Sequence, residues 1–185
     1  MLYFILRLFS SLPLAALQIT GAGIGLLVYV SSARYRSRLN LNHRSAAAFS
    51  GFKPAPWKVA AESGMMFADT LWIWRYPNSA LDKVTTDNLA QIIKLAKNGK
   101  GLIILAAHLG GFEIVPRFFA EHIKATVMYR PARKFWVNEL MLKSRQHSQI
   151  EFVEANLGGV RKIKRALKKG EVLSLIHISE PTRPY

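Results

Sequence analysis

The longest apolar stretch of the chain lies near its N-terminus. No charged side chain occurs from Leu8 to Ala33, and this length is sufficient for a helix to cross a hydrocarbon core of about 30 Å. A cleaved signal peptide is an alternative, but its apolar core would span only roughly 7–15 residues before a small-residue cleavage site. A helix lying in the membrane interface is another. We expect residues 1–33 to form an uncleaved anchor, either spanning or embedded in a membrane.

Shorter apolar stretches, separated by glycine, proline and polar residues, continue to the C-terminus. Their spacing predicts helices at 56–74, 80–97, 135–147 and 160–169, and strands at 102–107, 125–129, 150–153 and from 172 onward. Because strands alternate with helices, we predict an α/β fold with a mostly parallel sheet and flanking helices. The helix at 56–74 is apolar nearly all round, which indicates burial or contact with lipid or an acyl chain.

The segment GLIILAAHLGGFE, residues 101–113, combines an apolar strand with polar side chains. An unbroken small or apolar stretch from Leu102 to Ala107 predicts a strand buried on both faces, and it ends at His108. Ligands of open α/β sheets bind at the carboxyl ends of the strands, so we expect His108 to face a cleft. Glu113 can accept a hydrogen bond from one imidazole nitrogen, which leaves the other to act as a general base toward a hydroxyl. A polar pair without catalytic function is the alternative.

The charge of the chain is strongly positive. Its 185 residues include 26 Lys and Arg against 11 Asp and Glu, a net charge of +15, which favours anionic partners. An arginine cluster directly follows the apolar stretch: Arg34, Arg36, Arg38 and Arg44. Such a cluster marks the cytoplasmic side of a membrane and attracts anionic lipid by about 1 kcal/mol per basic residue. No zinc motif, recognition-helix signature or aromatic RNA-binding pattern is visible, so we expect no nucleic-acid partner.

Metal and cysteine chemistry are not expected from the residue pattern. The chain has no cysteine, which excludes disulfides and thiolate metal sites. The histidines show no ligand spacing, and incidental placement is the interpretation for His43, His122, His147 and His177.

Four features, in this order, resemble the late acyltransferases of lipid A biosynthesis, the lauroyl and myristoyl transferases of Gram-negative bacteria. They are the anchor with Arg38-Leu39-Asn40-Leu41, the His108-Leu109-Gly110-Gly111-Phe112-Glu113 motif, Tyr129-Arg130-Pro131, and GVRKIKRALKKGE at 159–171. The His-x4-Glu pattern is shared with the wider glycerophosphate acyltransferase superfamily. The combination with Tyr-Arg-Pro narrows the resemblance to the lipid A enzymes.

The resemblance implies an inner-membrane enzyme with its catalytic domain on the cytoplasmic face and without a cofactor or metal. It would transfer a fatty acyl chain from acyl carrier protein to a hydroxyl of a lipid A precursor, with anionic membrane lipid as a further partner. His108 would be the general base and Glu113 would orient it. Arg130 and Arg145 would hold the lipid's phosphate, with a salt bridge as the alternative for Arg145, and backbone N–H groups near Gly110 would stabilise the thioester oxyanion.

Two other functions stay open at this point. A glycerophospholipid acyltransferase that uses acyl carrier protein or acyl-CoA shares the His-x4-Glu pattern, and a non-catalytic membrane-anchored protein that binds anionic lipid shares the arginine cluster.

The C-terminal residues depart from the family pattern. Family members continue past the basic helix to a strand and an aspartate-bearing motif, whereas this chain has SLIHISEPTRPY from Ser174. We therefore expect residues 34–173 to form the N-terminal part of an incomplete acyltransferase domain and 174–185 to be a non-native tail.

Overall fold

The computed structural model describes residues 11–107 and 109–175, which contain eight helices and four strands. The chain divides into two compact units, Met1–Arg75 and Tyr76–Tyr185. The first is helical and the second is α/β.

The first unit contains helices α1 (Leu14–Ser31), α2 (Ala33–Ser50) and α3 (Pro56–Arg75). The prediction of a helix at 56–74 is confirmed. The arginine cluster lies on α2, a helix that the apolar pattern did not predict because its sequence is largely polar. Two polar side chains shape the junction between α1 and α2. The Ser32 hydroxyl accepts a hydrogen bond from the Tyr35 N–H (3.3 Å), and Arg36 Nη1 donates to the carbonyls of Tyr29 (3.0 Å) and Val30 (2.8 Å).

Among the described residues, α1 is the one helix whose length and composition would allow it to cross a membrane. Its apolar side chains are largely exposed within the unit, and Ile19 is 74% and Leu27 67% exposed. An exposed apolar surface of this kind suits contact with lipid. The expected N-terminal apolar helix is therefore present.

Helices α1 and α3 pack closely in antiparallel directions through small residues. A Cβ atom on Gly64 would lie 2.0 Å from the carbonyl oxygen of Gly21, and one on Gly25 would lie 2.2 Å from that of Ala60. The same two helices are joined by a side-chain hydrogen bond: the amide of Gln18 on α1 donates to Asp69 Oδ1 on α3 at 2.8 Å. Small residues that allow close backbone approach, together with polar bridges, are typical of helix pairs in membranes.

The second unit begins with the short helices α4 (Pro77–Leu81) and α5 (Leu89–Ala96) and continues as alternating strands and helices. These are β1 (Leu102–Leu105), α6 (Ile114–Ala120), β2 (Ala125–Tyr129), α7 (Phe135–Arg145), β3 (Ile150–Glu154), α8 (Leu157–Lys168) and β4 (Val172–Leu175). The strands form one parallel sheet in the order β1-β4-β2-β3. The predicted α/β class with a parallel sheet is confirmed.

The sheet places its most buried strands in the centre. Strand β4 pairs with β1 on one side and with β2 on the other. On β2 and β4 successive residues are buried, including Thr126, Val127, Val172 and Leu173. Consecutive buried residues mean that both faces of these strands are covered, as expected for parallel sheets.

The prediction that strand 102–107 is buried on both faces is wrong. Strand β1 ends at Leu105 and alternates between half-buried and exposed residues, with Ile103 51% and Leu105 64% exposed. Leu102 and Ile104 pack with Ile93, Ala96, Phe119 and the buried residues around Val172. Strand β1 is at the edge of the sheet. Within the described part of the chain, other residues cover one of its faces, so the side chains on the opposite face are accessible to solvent.

A single helix at 80–97 is also a wrong prediction. Pro77 begins the short helix α4, which fits the preference of proline for the first helical turn. The segment between α4 and α5 contains Thr85, Thr86, Asp87 and Asn88. Such β-branched and short polar residues are poor in helix interiors because they lose rotamer freedom or hydrogen-bond to the local backbone.

Candidate active site

The carboxyl ends of the four strands lie at one edge of the sheet, called here the C-terminal edge. The register pairs Leu105 with Leu175, Met128 with Leu175, and Tyr129 with Glu154, so the strands end nearly level. In open α/β sheets this edge is the usual place for a ligand. The predicted site residues that follow β1 and β2 therefore leave the sheet on the same side.

The predicted base, His108, lies outside the described residues. Its neighbours are described: β1 ends at Leu105, and the N–H of Leu109 donates to the carbonyl of Ala107 at 3.0 Å. The role of His108 therefore stays a prediction from the sequence.

The glycines after His108 form a tight turn. Gly110 has φ +53°, in the left-handed region, and its carbonyl accepts from the N–H of Phe112 at 2.9 Å, while that of Gly111 accepts from Ile114 at 3.0 Å. A Cβ on Gly110 would meet no atom within 4 Å. The backbone conformation, and not the surrounding space, is thus the reason for glycine at this position.

Glu113 is the residue immediately before α6, and its side chain forms a buried ion pair with Arg145. Arg145 Nε donates to Glu113 Oε2 at 2.8 Å, and Nη2 of the same guanidinium donates to Oε1. The Glu113 side chain is 4% exposed and that of Arg145 14%. Two parallel N–H···O bonds of this type fix the plane of a carboxylate as well as its position.

Packing of α6 beside the end of α7 brings these residues together across 32 positions of sequence. Arg117 Nη1 donates to the carbonyl of Gln146 at 3.4 Å, and His147 Nε2 lies 3.3 Å from Glu121 Oε1. Arg145 is the last residue of α7, so it emerges where the two helices meet. Both residues were predicted site residues, but their contact was not predicted, because residues 32 positions apart share no local sequence pattern.

A second polar cluster surrounds Tyr129 at the end of β2. Tyr129 is buried and lies edge-to-face with Phe152, with 6.2 Å between ring centroids. Burial raises the pKa of its phenol above the usual 10.0, and the nearby Glu154 carboxylate raises it further, whereas a hydrogen bond with Asn138 acts in the opposite direction. Asn138 Oδ1 also accepts from the N–H of Ala132 at 3.2 Å. The cluster fixes the chain on both sides of the exposed Arg130.

Asn138 and Glu154 were not identified from the sequence. Both are common polar residues within predicted elements, and neither belongs to a sequence motif. Their partner Tyr129 lies on a different element, so no local pattern predicts the contact. Across residues 11–107 and 109–175, no group of three or more His, Asp or Glu side chains has the geometry of a metal site.

The second unit thus has a parallel α/β sheet with a buried, rigidly held carboxylate after its first strand, and the first unit contains one helix that could cross a membrane. The family model described as bacterial lipid A biosynthesis acyltransferase matches residues 2–177, nearly the whole chain, and the protein belongs to this family. The family predicted from the four sequence features is thus confirmed. No curated protein matches the chain.

Proposed function

We propose that the protein transfers a fatty acyl chain from acyl carrier protein to a hydroxyl of a lipid A precursor, with His108 as the general base. Membership of the lipid A acyltransferase family supports the reaction class. The observation that carries the residue assignment is the buried Glu113 carboxylate, five positions after His108 and fixed by Arg145. A carboxylate has about four acceptor sites, so the ion pair leaves capacity for an imidazole N–H.

In this proposal each group has one task. His108 removes the proton of the acceptor hydroxyl, the oxygen adds to the thioester carbonyl to give a tetrahedral oxyanion, and this intermediate collapses as the C–S bond breaks. The imidazolium then returns its proton to the departing thiolate. Glu113 orients the ring and stabilises its charged form, as acidic partners of catalytic histidines do. Backbone N–H groups near Gly110 stabilise the oxyanion.

The two arginines have different surroundings, which supports different tasks. The guanidinium of Arg145 is engaged with Glu113, and this favours its salt-bridge role over phosphate binding. Arg130 is exposed after β2 at the C-terminal edge, and we assign it to a phosphate of the lipid acceptor because guanidinium groups bind phosphate bidentately.

The membrane arrangement is part of the same proposal. Helix α1 anchors the protein in the bacterial inner membrane, and the arginines of α2 keep the α/β unit on the cytoplasmic face. The exposed apolar side chains of α1 support this arrangement.

The test is an acyl transfer assay of the whole gene product in membranes, with acyl carrier proteins of graded acyl-chain length. His108→Ala is expected to lower turnover by at least about 100-fold, since general-base catalysis contributes ~10²–10⁴-fold, and to leave membrane association intact. His122→Ala, a change of an exposed histidine at the end of α6, is the control. Retained turnover in His108→Ala would remove this residue from the mechanism.

Mass spectrometry of lipids from a deletion strain tests the acceptor. Loss of an acyl chain from lipid A supports the proposal. Loss from glycerophospholipids instead would overturn the acceptor assignment and leave the reaction class intact.

A further inference from the structure

The first unit contains two neighbouring cavities that the acyl transfer reaction does not use. The larger, about 820 Å³, lies along one face of α2 and the start of α3, and is called here the head cavity. The smaller, about 300 Å³, lies in the groove beside the contact of α1 and α3 and is called the chain slot. Tyr35 and Ser63 line both, so the two are adjacent. Their volumes are in the range of about 300–1,000 Å³ that is usual for small-molecule sites.

The head cavity has the chemistry of an anion site. Arg34 and Arg38 line it one helical turn apart on α2, and His43 follows on the same face. Within this part of the chain no carboxylate lines either cavity. Guanidinium groups bind phosphate bidentately, so two arginines without a facing carboxylate favour a bound anion.

The chain slot has the chemistry of an acyl-chain site. Its side chains include Ile24 and Val28 from α1 and Phe67 and Leu71 from α3. Ile24 and Phe67 are also exposed on the outside of the unit. Because α1 is the candidate membrane helix, a lipid chain can enter the slot from the bilayer without crossing water.

We propose that the head cavity and the chain slot together bind one anionic phospholipid of the surrounding bilayer, with its phosphate at Arg34 and Arg38 and one acyl chain in the groove along the contact of α1 and α3. Charge complementarity selects the anionic headgroup, and continuity with the exposed apolar face of α1 selects a bilayer lipid. The site lies wholly in the first unit and does not depend on acyl transfer, so His108→Ala should leave lipid binding unchanged.

The test is native mass spectrometry of the full chain in detergent micelles, titrated separately with dimyristoyl phosphatidylglycerol, dimyristoyl phosphatidylcholine and inorganic phosphate. We expect one phosphatidylglycerol per chain and much weaker binding of the other two. The double variant Arg34→Gln/Arg38→Gln should weaken phosphatidylglycerol binding by at least about tenfold, because hydrogen bonds to charged groups contribute strongly to affinity.

A matched double variant controls for net charge. Arg44→Gln/Lys53→Gln removes the same charge from exposed positions that do not line either cavity. It should weaken phosphatidylglycerol binding much less than Arg34→Gln/Arg38→Gln does, because exposed charges interact weakly with a screened partner. Equal losses in the two double variants would show unspecific charge attraction and overturn the proposal.

The slot is tested by filling it. Ile24→Trp should weaken phosphatidylglycerol binding, whereas Ile19→Trp on the same helix, exposed and outside the slot, should not. Circular dichroism confirms that each variant keeps its helices. Three outcomes would each overturn the proposal. They are equal binding of phosphatidylcholine, competition by inorganic phosphate at the same concentration as lipid, and unchanged phosphatidylglycerol binding in Ile24→Trp.

Discussion

Arg145 donates hydrogen bonds to both carboxylate oxygens of Glu113, and the pair is almost completely shielded from solvent. The contact joins the residue immediately before α6 to the last residue of α7. It therefore couples the geometry of the Gly110–Glu113 segment to the packing of two helices. Shielding makes the interaction sensitive to loss of one partner, because a buried charge without its counterion is strongly destabilising.

Removal of Arg145 alone should destabilise the second unit. For Arg145→Met we expect the free energy of unfolding to fall by about 3–5 kcal/mol, because Glu113 is left buried without its cationic partner. Thermal unfolding in detergent measures the effect. Lys143→Met is the control, since Lys143 pairs with Glu139 in an exposed i,i+4 position and such pairs contribute only about 0.3–0.5 kcal/mol.

The double variant Glu113→Gln/Arg145→Met separates stability from chemistry. Removing both charges should recover much of the stability lost in Arg145→Met, because no unpaired charge remains. Turnover should stay low, since an amide does not stabilise an imidazolium as a carboxylate does. Recovery of both stability and turnover would contradict the role proposed for Glu113.

Substitution of Gly110 should affect conformation more than packing. Gly110→Ala places a Cβ on a left-handed residue, which costs about 1–2 kcal/mol, although the surrounding space is open. Gly110→Asn should cost less because asparagine is enriched in this region. Unfolding free energies of the two variants test this order, and an equal or larger loss in Gly110→Asn would contradict it.

Substitution of Gly64 should separate α1 from α3. The Cβ of Gly64→Ala would overlap the Gly21 backbone, and the helices must move apart, so we expect a loss of about 1–3 kcal/mol from overpacking. Gly23→Ala on α1 is the control because its Cβ meets no atom within 4 Å; it should stabilise the helix by roughly 0.5–1 kcal/mol. Thermal unfolding of the detergent-solubilised protein measures the stability of each variant.

The raised pKa of Tyr129 predicts a loss of stability at alkaline pH. Because the folded protein favours the neutral phenol, this contribution is complete below the unfolded pKa of 10.0 and is lost as pH rises through the higher folded value. Tyr129→Phe removes the titration, so its free energy of unfolding should fall less than that of the wild type above pH ~10. A parallel decline in both proteins would contradict the assignment.

The sequence predicted the parallel α/β fold well because each strand and helix has its own local pattern. The strands predicted at 125–129 and 150–153 and the helix predicted at 56–74 agree with β2, β3 and α3 to within one residue at each end. The environment of β1 was not predictable in the same way. Its apolar composition is that of a central strand, and only the order of strands in the sheet places it at an edge.

The candidate site was predicted residue by residue but not as a set of contacts. His108, Glu113, Gly110 and Arg130 were identified from motifs and Arg145 from the family resemblance, each with its own assigned task. The Glu113–Arg145 ion pair depends on how α6 packs beside α7, and the Tyr129 cluster depends on neighbours from α7 and β3. Contacts between separate elements carry no periodic signal in one sequence, so they emerge only from the folded chain.

The position of β4 sets an order of events during synthesis on the ribosome. Strands β2 and β3 pair directly and can associate as soon as both have left the exit tunnel. Strand β1, although made first, pairs only with β4 among the described strands, and must wait until the chain through Leu175 has emerged. Until that moment the nascent polypeptide carries an unpaired apolar strand, a kind of exposed edge that favours aggregation during folding.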